Sequence, residues 1–320
     1  MSDNAANATV LSGSRNIFVV LTDGGERLEC RLKGKVLKEA EGAYNPLAPG
    51  DRVLARPDPG RPGAAMIVAL GERANAFLRY NQKGGSEQIL AANVDQVMCL
   101  TTRRAPPFRP RFLDRVLLQA DSAGIPAVIV RNKTDMDRDA DPDALDSDER
   151  LEDFRRLGYD IMEVSALTGA GLEHLRERLT GRKTVLIGQS GVGKSSLLNA
   201  LAPGLDIRTG PVNEKYDRGN HTTTLATMIE LPGFPSGTWV IDTPGMRRFV
   251  PAGIAAEDLV ATMREFAPLA GKCTFGMSCS HRVEPGCRIM EAVHAGAIHE
   301  DRYESFFRIR DDLTDRNRAD

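Results

Sequence analysis

Three patterns along the 320-residue chain predict an all-β barrel, then a parallel α/β domain, then a small helical domain stapled by cysteine and histidine. From Asn16 to Arg73 short β-type runs alternate with turn residues; from Asn93 apolar strand runs alternate with amphipathic helices; and between Cys273 and Cys287 three cysteines crowd around one histidine. Period-2 runs between turns imply antiparallel strands, while strand and helix in alternation imply crossover units on a parallel sheet. The length suffices for two or three domains, and a hydrophobic fraction of 41% supplies ordinary cores.

Residues 1–14 are small and polar without periodicity and read as an unstructured tail. The barrel, 15–75, takes its strands from Ile17 to Leu21, Arg27 to Leu32, Val53 to Ala55 and Ala65 to Val68, separated by Gly24-Gly25, Gly34, Pro49-Gly50 and Pro57 to Gly63. An OB-type barrel would carry the basic run Arg31, Lys33, Lys35, Lys38 and the loop Glu39 to Pro49 on its binding face; a solvated strand edge protected by lysines is the other reading.

The α/β domain, 76–252, starts with the apolar run Val94 to Leu100, followed by a helix from Arg111 to Ala123 and the strand Ala127 to Val130. A helix around Arg150 to Leu157, the strand Ile161 to Val164 and a helix from Gly171 to Leu179 come next. Thr184 to Ile187, a glycine loop and a helix from Lys194 to Leu201 lead to the last strands, Ala226 to Leu231 and Thr238 to Ile241. The Asp-rich stretch Asp135 to Asp148 reads as an exposed connector. The last domain, 253–320, is helical and closes with a charged helix from Ala292 to Arg316.

Gly188-Gln189-Ser190-Gly191-Val192-Gly193-Lys194-Ser195 has the spacing of a phosphate-binding loop and lies between a strand and a helix, where its backbone N–H groups converge on phosphate; Ser196 follows in the first helical turn. Lys194 would reach the β and γ phosphates and the Ser195 hydroxyl would ligate Mg²⁺. Asp242-Thr243-Pro244-Gly245 ends an apolar strand, as a DxxG element does: Asp242 would hold Mg²⁺ through water and the Gly245 N–H would meet the γ-phosphate. By itself Asp-Thr-Pro-Gly is a commonplace turn.

Asn132-Lys133-Thr134-Asp135 follows a buried strand at the carboxyl edge of the sheet, where nucleotides bind. The Asp135 carboxylate can accept from the N1–H and N2–H₂ donors of guanine; adenine leaves it unsatisfied, at about 1–3 kcal/mol. Lys133 would lay its stem over the purine, Asn132 would tie the loop to nearby backbone, and Ser165-Ala166 after the next strand would offer the Ala166 N–H to guanine O6. Between the phosphate loop and Asp242, the run Gly219-Asn220-His221-Thr222-Thr223-Thr224 suits a switch whose Thr223 closes over Mg²⁺. The five elements together predict a GTP/GDP-binding GTPase. In Ras-like GTPases the phosphate loop comes first; here the base motif and Ser-Ala loop precede it, a circular permutation that places the DxxG switch directly before the last domain.

Cys273-x5-Cys279-x-His281-x5-Cys287 supplies a complete tetrahedral donor set for one structural Zn²⁺; buried unpaired thiols are the plainer alternative. Cys30 and Cys99, in apolar runs, read as core residues, and His174, His294 and His299 as surface residues of helical stretches.

With barrel, permuted motifs and Cys/His set in this order, the chain resembles the RsgA family of ribosome small-subunit-dependent GTPases, the YjeQ/YloQ type, from about residue 15 onward. The resemblance implies a cytoplasmic factor that binds the 30S subunit and its 16S rRNA near the decoding region late in assembly, with GTP hydrolysis stimulated by the subunit. It also implies that His221 replaces the water-orienting glutamine, since Met246 follows Gly245. Family members carry four residues between the first two cysteines and this chain has five, the extra one within Gly276-Met277-Ser278, which puts Cys273 in question as a ligand. Gly191 stands where some relatives use a K⁺-recruiting asparagine, so K⁺ dependence by that route is not expected.

A net charge of −2 excludes a global field for nucleic acid, leaving local patches, and no uncharged apolar run is long enough to span a membrane. A monomer is expected. A GTP-regulated RNA- or protein-binding switch acting away from the ribosome is the competing reading.

Overall fold

The computed structural model describes residues 5–14, 16–32, 45–137, 142–207 and 226–317. Five strands close a barrel: β1 (Ala6–Ser14), β2 (Ile17–Thr22), β3 (Arg27–Leu32), β4 (Arg52–Pro57) and β5 (Ala64–Leu70), in the order β1-β2-β3-β5-β4. Alternation sets the inside: Leu28, Cys30 and Leu32 of β3 point into a core with Val10, Val20, Val53 and Ile67. The expected tail is instead a strand. β1 pairs with β2 on one side and β4 on the other, so two ladders supply what its small polar residues lack in local propensity. Of the basic run only Arg31 lies among the described residues; Lys33, Lys35, Lys38 and most of the loop to Pro49 lie outside them.

A hairpin that the sequence does not announce, β6 (Ala76–Asn81) and β7 (Ser86–Ala92), joins barrel to sheet. The turn at Gly50 packs against it so closely that a β-carbon there would stand 2.0 Å from the Ala92 carbonyl oxygen, at a φ of +92°.

The central sheet has the order β10-β9-β8-β11-β13-β12, from β8 (Gln96–Thr101), β9 (Ala127–Arg131), β10 (Asp160–Glu163), β11 (Lys183–Gly188), β12 (Thr227–Glu230) and β13 (Trp239–Asp242). All pairings are parallel except β12 with β13, so the loops after β8, β9, β10, β11 and β13 open at one edge. Helices α1 (Pro110–Ser122), α2 (Pro142–Arg156), α3 (Leu172–Leu179) and α4 (Lys194–Leu201) complete the domain. The Asp-rich connector is therefore shorter than expected: α2 already starts at Pro142, and Asp137 is ion-paired to Arg131 at 2.7 Å rather than merely solvated.

The last domain has α5 (Leu259–Thr262), α6 (Arg288–His294) and α7 (Glu300–Asn317). The single closing helix expected from Ala292 is broken because Gly296 adopts φ +70° and its N–H and that of Ala297 cap the carbonyls of Val293 and Ala292. His174 and His294 are exposed, but His299 is half-buried, its Nδ1 accepting the Asp301 N–H at 3.1 Å. Cys30 and Cys99 are buried as expected. Among the described residues no helix is long and apolar enough to cross a membrane.

Candidate functional site

The phosphate loop follows β11, and its glycines are required by geometry. Gly191 and Gly193 adopt φ of +84° and +93°, and a β-carbon on Gly193 would stand 2.5 Å from the Asn132 carboxamide. That carboxamide joins three predicted motifs. Asn132 Nδ2 donates to the Val192 carbonyl at 3.0 Å, and its Oδ1 accepts the Ala166 N–H at 3.2 Å. The Ala166 N–H, expected to face guanine O6, is thus held by Asn132 here.

Lys133, at φ +65°, donates from Nζ to the carbonyls of Gly191 at 2.8 Å and Ala105 at 2.6 Å. Its ammonium clamps the loop after β8 onto the phosphate loop; Ala105 carries no sequence signal for this, because its contribution is a backbone carbonyl. Asp135 is oriented by the Ser165 hydroxyl, which donates to Oδ1 at 2.5 Å. Ser165 itself is fully buried, so it anchors a half-exposed carboxylate whose other oxygen can meet a donor pair.

Lys194 is 9% exposed and donates to the Gly188 carbonyl at 3.3 Å. Burial draws its titration down, and the neighbouring Asp242 carboxylate pulls it partly back; Asp242 is pushed up by burial and restrained by Lys194. Asp242 Oδ1 is buried with no hydrogen-bond partner. An orphaned carboxylate oxygen at the strand end fits a hard cation, and Ser195 in the first turn of α4 offers a second oxygen, so the residues fit Mg²⁺. The Gly245 turn lies on the phosphate loop: a β-carbon there would stand 2.9 Å from Ser190 Cα. Gln189 is buried beneath the loop, while Ser190 and Ser196 are exposed.

Met246 is 5% exposed, packed in the main core, and its N–H donates to the Gly188 carbonyl at 3.2 Å. Its side chain cannot serve a water at the γ-phosphate. His221, Thr223 and the rest of the Gly219 to Thr224 run lie outside the described residues.

Cys273, Cys279, His281 and Cys287 are all buried, with their ligand atoms within 4.8 Å of one another. His281 Nδ1 is 3.4 Å from Cys287 Sγ and 3.6 Å from Cys273 Sγ. Burial, with the Cys287 and Cys273 thiols alongside, pushes Cys279 up to about 12, while burial and Arg310 lower His281, leaving a neutral imidazole fit to ligate. The set fits one Zn²⁺ with no place left for water. The residue in excess of the family pattern is absorbed by a 3₁₀ turn at Gly276–Ser278 that leaves Met277 70% exposed, so Cys273 keeps its place.

Sequence reasoning also missed a buried ion cluster between the central and last domains. Asp114 of α1 accepts from Arg302 of α7 at 2.7 Å and from Arg150 of α2 at 3.2 Å, and Arg302 also pairs with Glu265 at 2.6 Å. All three helices meet there.

Comparison with known proteins places this geometry. Residues 70–250 match the family model of the RsgA GTPase. The chain is 41% identical over 303 residues to the small ribosomal subunit biogenesis GTPase RsgA of Chlorobaculum parvum, covering 92% of this chain and 94% of that protein. Among solved structures it is similar to YjeQ from Thermotoga maritima, with a TM-score of 0.72, 33% identity and coverage of 97% and 99% of the two chains. It is also similar to YloQ, a circularly permuted GTPase, with a TM-score of 0.66, 26% identity and coverage of 98% and 96%.

Proposed function

Since the chain belongs to the RsgA GTPase family, we propose that it is a GTPase of small ribosomal subunit biogenesis that binds the 30S subunit at its 16S rRNA late in assembly, near the decoding region. It acts as a monomer in the cytoplasm, hydrolyses GTP to GDP and phosphate when the subunit stimulates it, and leaves as hydrolysis proceeds. The observation that carries the enzymatic part is the joining of base motif, Ser-Ala loop and phosphate loop through Asn132, with buried Lys194 and half-buried Asp242 beside them.

Asp135 reads guanine, Lys133 braces its loop, and the N–H groups from Gly188 to Ser196 enclose the phosphates. Mg²⁺, held by Ser195, Thr223 and Asp242, would draw charge from the β and γ oxygens. Water attacks the γ phosphorus as its bond to the β–γ bridging oxygen breaks, and the Lys194 ammonium stabilises the charge that develops there. His221 orients that water. Zn²⁺, held by Cys273, Cys279, His281 and Cys287, has a structural role. The DxxG turn is tethered to the last domain, since Arg248 is ion-paired with Asp312 of α7, so loss of the γ-phosphate is transmitted to that domain.

GTP turnover measured with and without purified 30S subunits at matched salt tests the ribosomal part. Stimulation, and co-sedimentation with a GTP analogue, are expected; absence of both sinks this part and leaves a switch acting elsewhere. If His221→Ala keeps subunit-stimulated turnover with GTP binding unchanged, the role of His221 is wrong.

A further inference from the structure

A cleft of about 630 Å³ lies where the start of α1, the segment after the DxxG turn and α7 converge. Six arginines line it, Arg109, Arg111, Arg115, Arg247, Arg248 and Arg308, against three aspartates, in a chain whose net charge is −2. The surplus is local, and most of it is already committed. Arg115, 12% exposed on its side chain, shares Asp312 with Arg248; Arg111 lies between Asp301 and Glu304; Arg308 leans on Glu304.

Arg109 and Arg247 differ. Both are exposed, and among the described residues neither has a carboxylate within ion-pair distance; Arg109 donates only a long 3.5 Å bond to the Arg247 carbonyl. Two guanidiniums that line one cleft without counter-charge can each take phosphate oxygens in bidentate fashion. Phe108, half-buried, lines the same cleft and offers a ring for a base. The volume exceeds what a lone phosphate fills and suits a stretch of chain.

We propose that this arginine cleft binds the sugar-phosphate backbone of single-stranded or looped RNA, with Arg109 and Arg247 on phosphates and Phe108 against a base. This rests on the reading of the protein as a ribosomal factor and names a surface for it. Arg247 is two residues beyond Gly245, so RNA in the cleft holds the segment that follows the γ-phosphate contact.

The test uses the full-length protein, a fluorescein-labelled uridine 12-mer read by anisotropy across a KCl series, and 30S co-sedimentation in parallel. Arg109→Ala/Arg247→Ala should bind the 12-mer about tenfold more weakly, with a salt slope shallower by about 1.4, or 0.7 per phosphate lost. Arg109→Lys/Arg247→Lys, which keeps charge without the fork, should fall between, and an unchanged melting temperature certifies folding. Oligonucleotide affinity and slope equal to wild type overturn the proposal. Weakened 30S binding with unchanged 12-mer binding also overturns it, in favour of a protein partner. If wild type neither binds nor responds to 30S, the ribosomal reading fails, and the 12-mer titration still decides the cleft.

Discussion

The Asn132 carboxamide occupies the space that a β-carbon on Gly193 would need, 2.5 Å from its Nδ2, while bonding the Val192 carbonyl at 3.0 Å. The segments proposed to recognise the base and bind the phosphates are thereby directly joined, although the bonded residues are 60 positions apart.

Gly193→Ala must both leave φ +93° and displace Asn132. Strain of this kind costs about 1–3 kcal/mol, so GTP and GDP should both bind at least about tenfold more weakly. Titration with a fluorescent guanine nucleotide checks it; equal affinity would show that the loop relaxes freely.

Met246→Gln restores the residue type that orients water in Ras-like enzymes, but at a position buried in the core. Burying the amide should cost about 1–3 kcal/mol of stability and give no gain in intrinsic turnover. Single-turnover hydrolysis and thermal melting measure the two; a faster rate would mean that residue 246 reaches the γ-phosphate.

Asp114→Ala leaves Arg150 and Arg302 buried without their shared carboxylate. The expected loss is about 3–5 kcal/mol, seen as early melting and proteolysis of the last domain. Glu291→Ala removes the exposed pair with Arg288 and should cost under about 1 kcal/mol. Equal effects would show that burial does not set the strength.

Zinc added to metal-free protein at pH 7 should release about three protons, one from each thiol, because Cys279 is held near 12 and His281 is already neutral. Proton release in weak buffer, alongside zinc uptake, reads the number. Release of one or none would mean that the thiols do not all ligate.

Glu284 braces the zinc loop: hydrogen bonds from Ser280 foremost, with that of Val283, hold its carboxyl at about 2, below the ordinary 4.5. A depressed carboxyl contributes stability that is complete above the unfolded value and is lost as pH falls through the folded one. Glu284→Gln should therefore melt lower than wild type at pH 7, the gap narrowing below about pH 4.5. A gap independent of pH would assign the effect to shape alone.

The motifs proposed for nucleotide and zinc were legible in the sequence because each is local. A phosphate loop, a DxxG turn or a Cys/His run brings its donors together within a few residues, and spacing encodes the geometry. Their order also disclosed the permutation and the attachment of the DxxG switch to the last domain. The identity of β1 was not legible, because its small polar residues become a strand only between β2 and β4. Nor was the grip of Lys133 on Ala105, since any residue supplies a carbonyl. The Asp114 and Arg302 pair joins residues 188 positions apart, and the two uncommitted arginines of the cleft stand out only once the other four guanidiniums lining it have found their carboxylates. Sequence determined the chemistry of groups within one turn of each other; tertiary structure decided which distant charges meet and which are left for a partner.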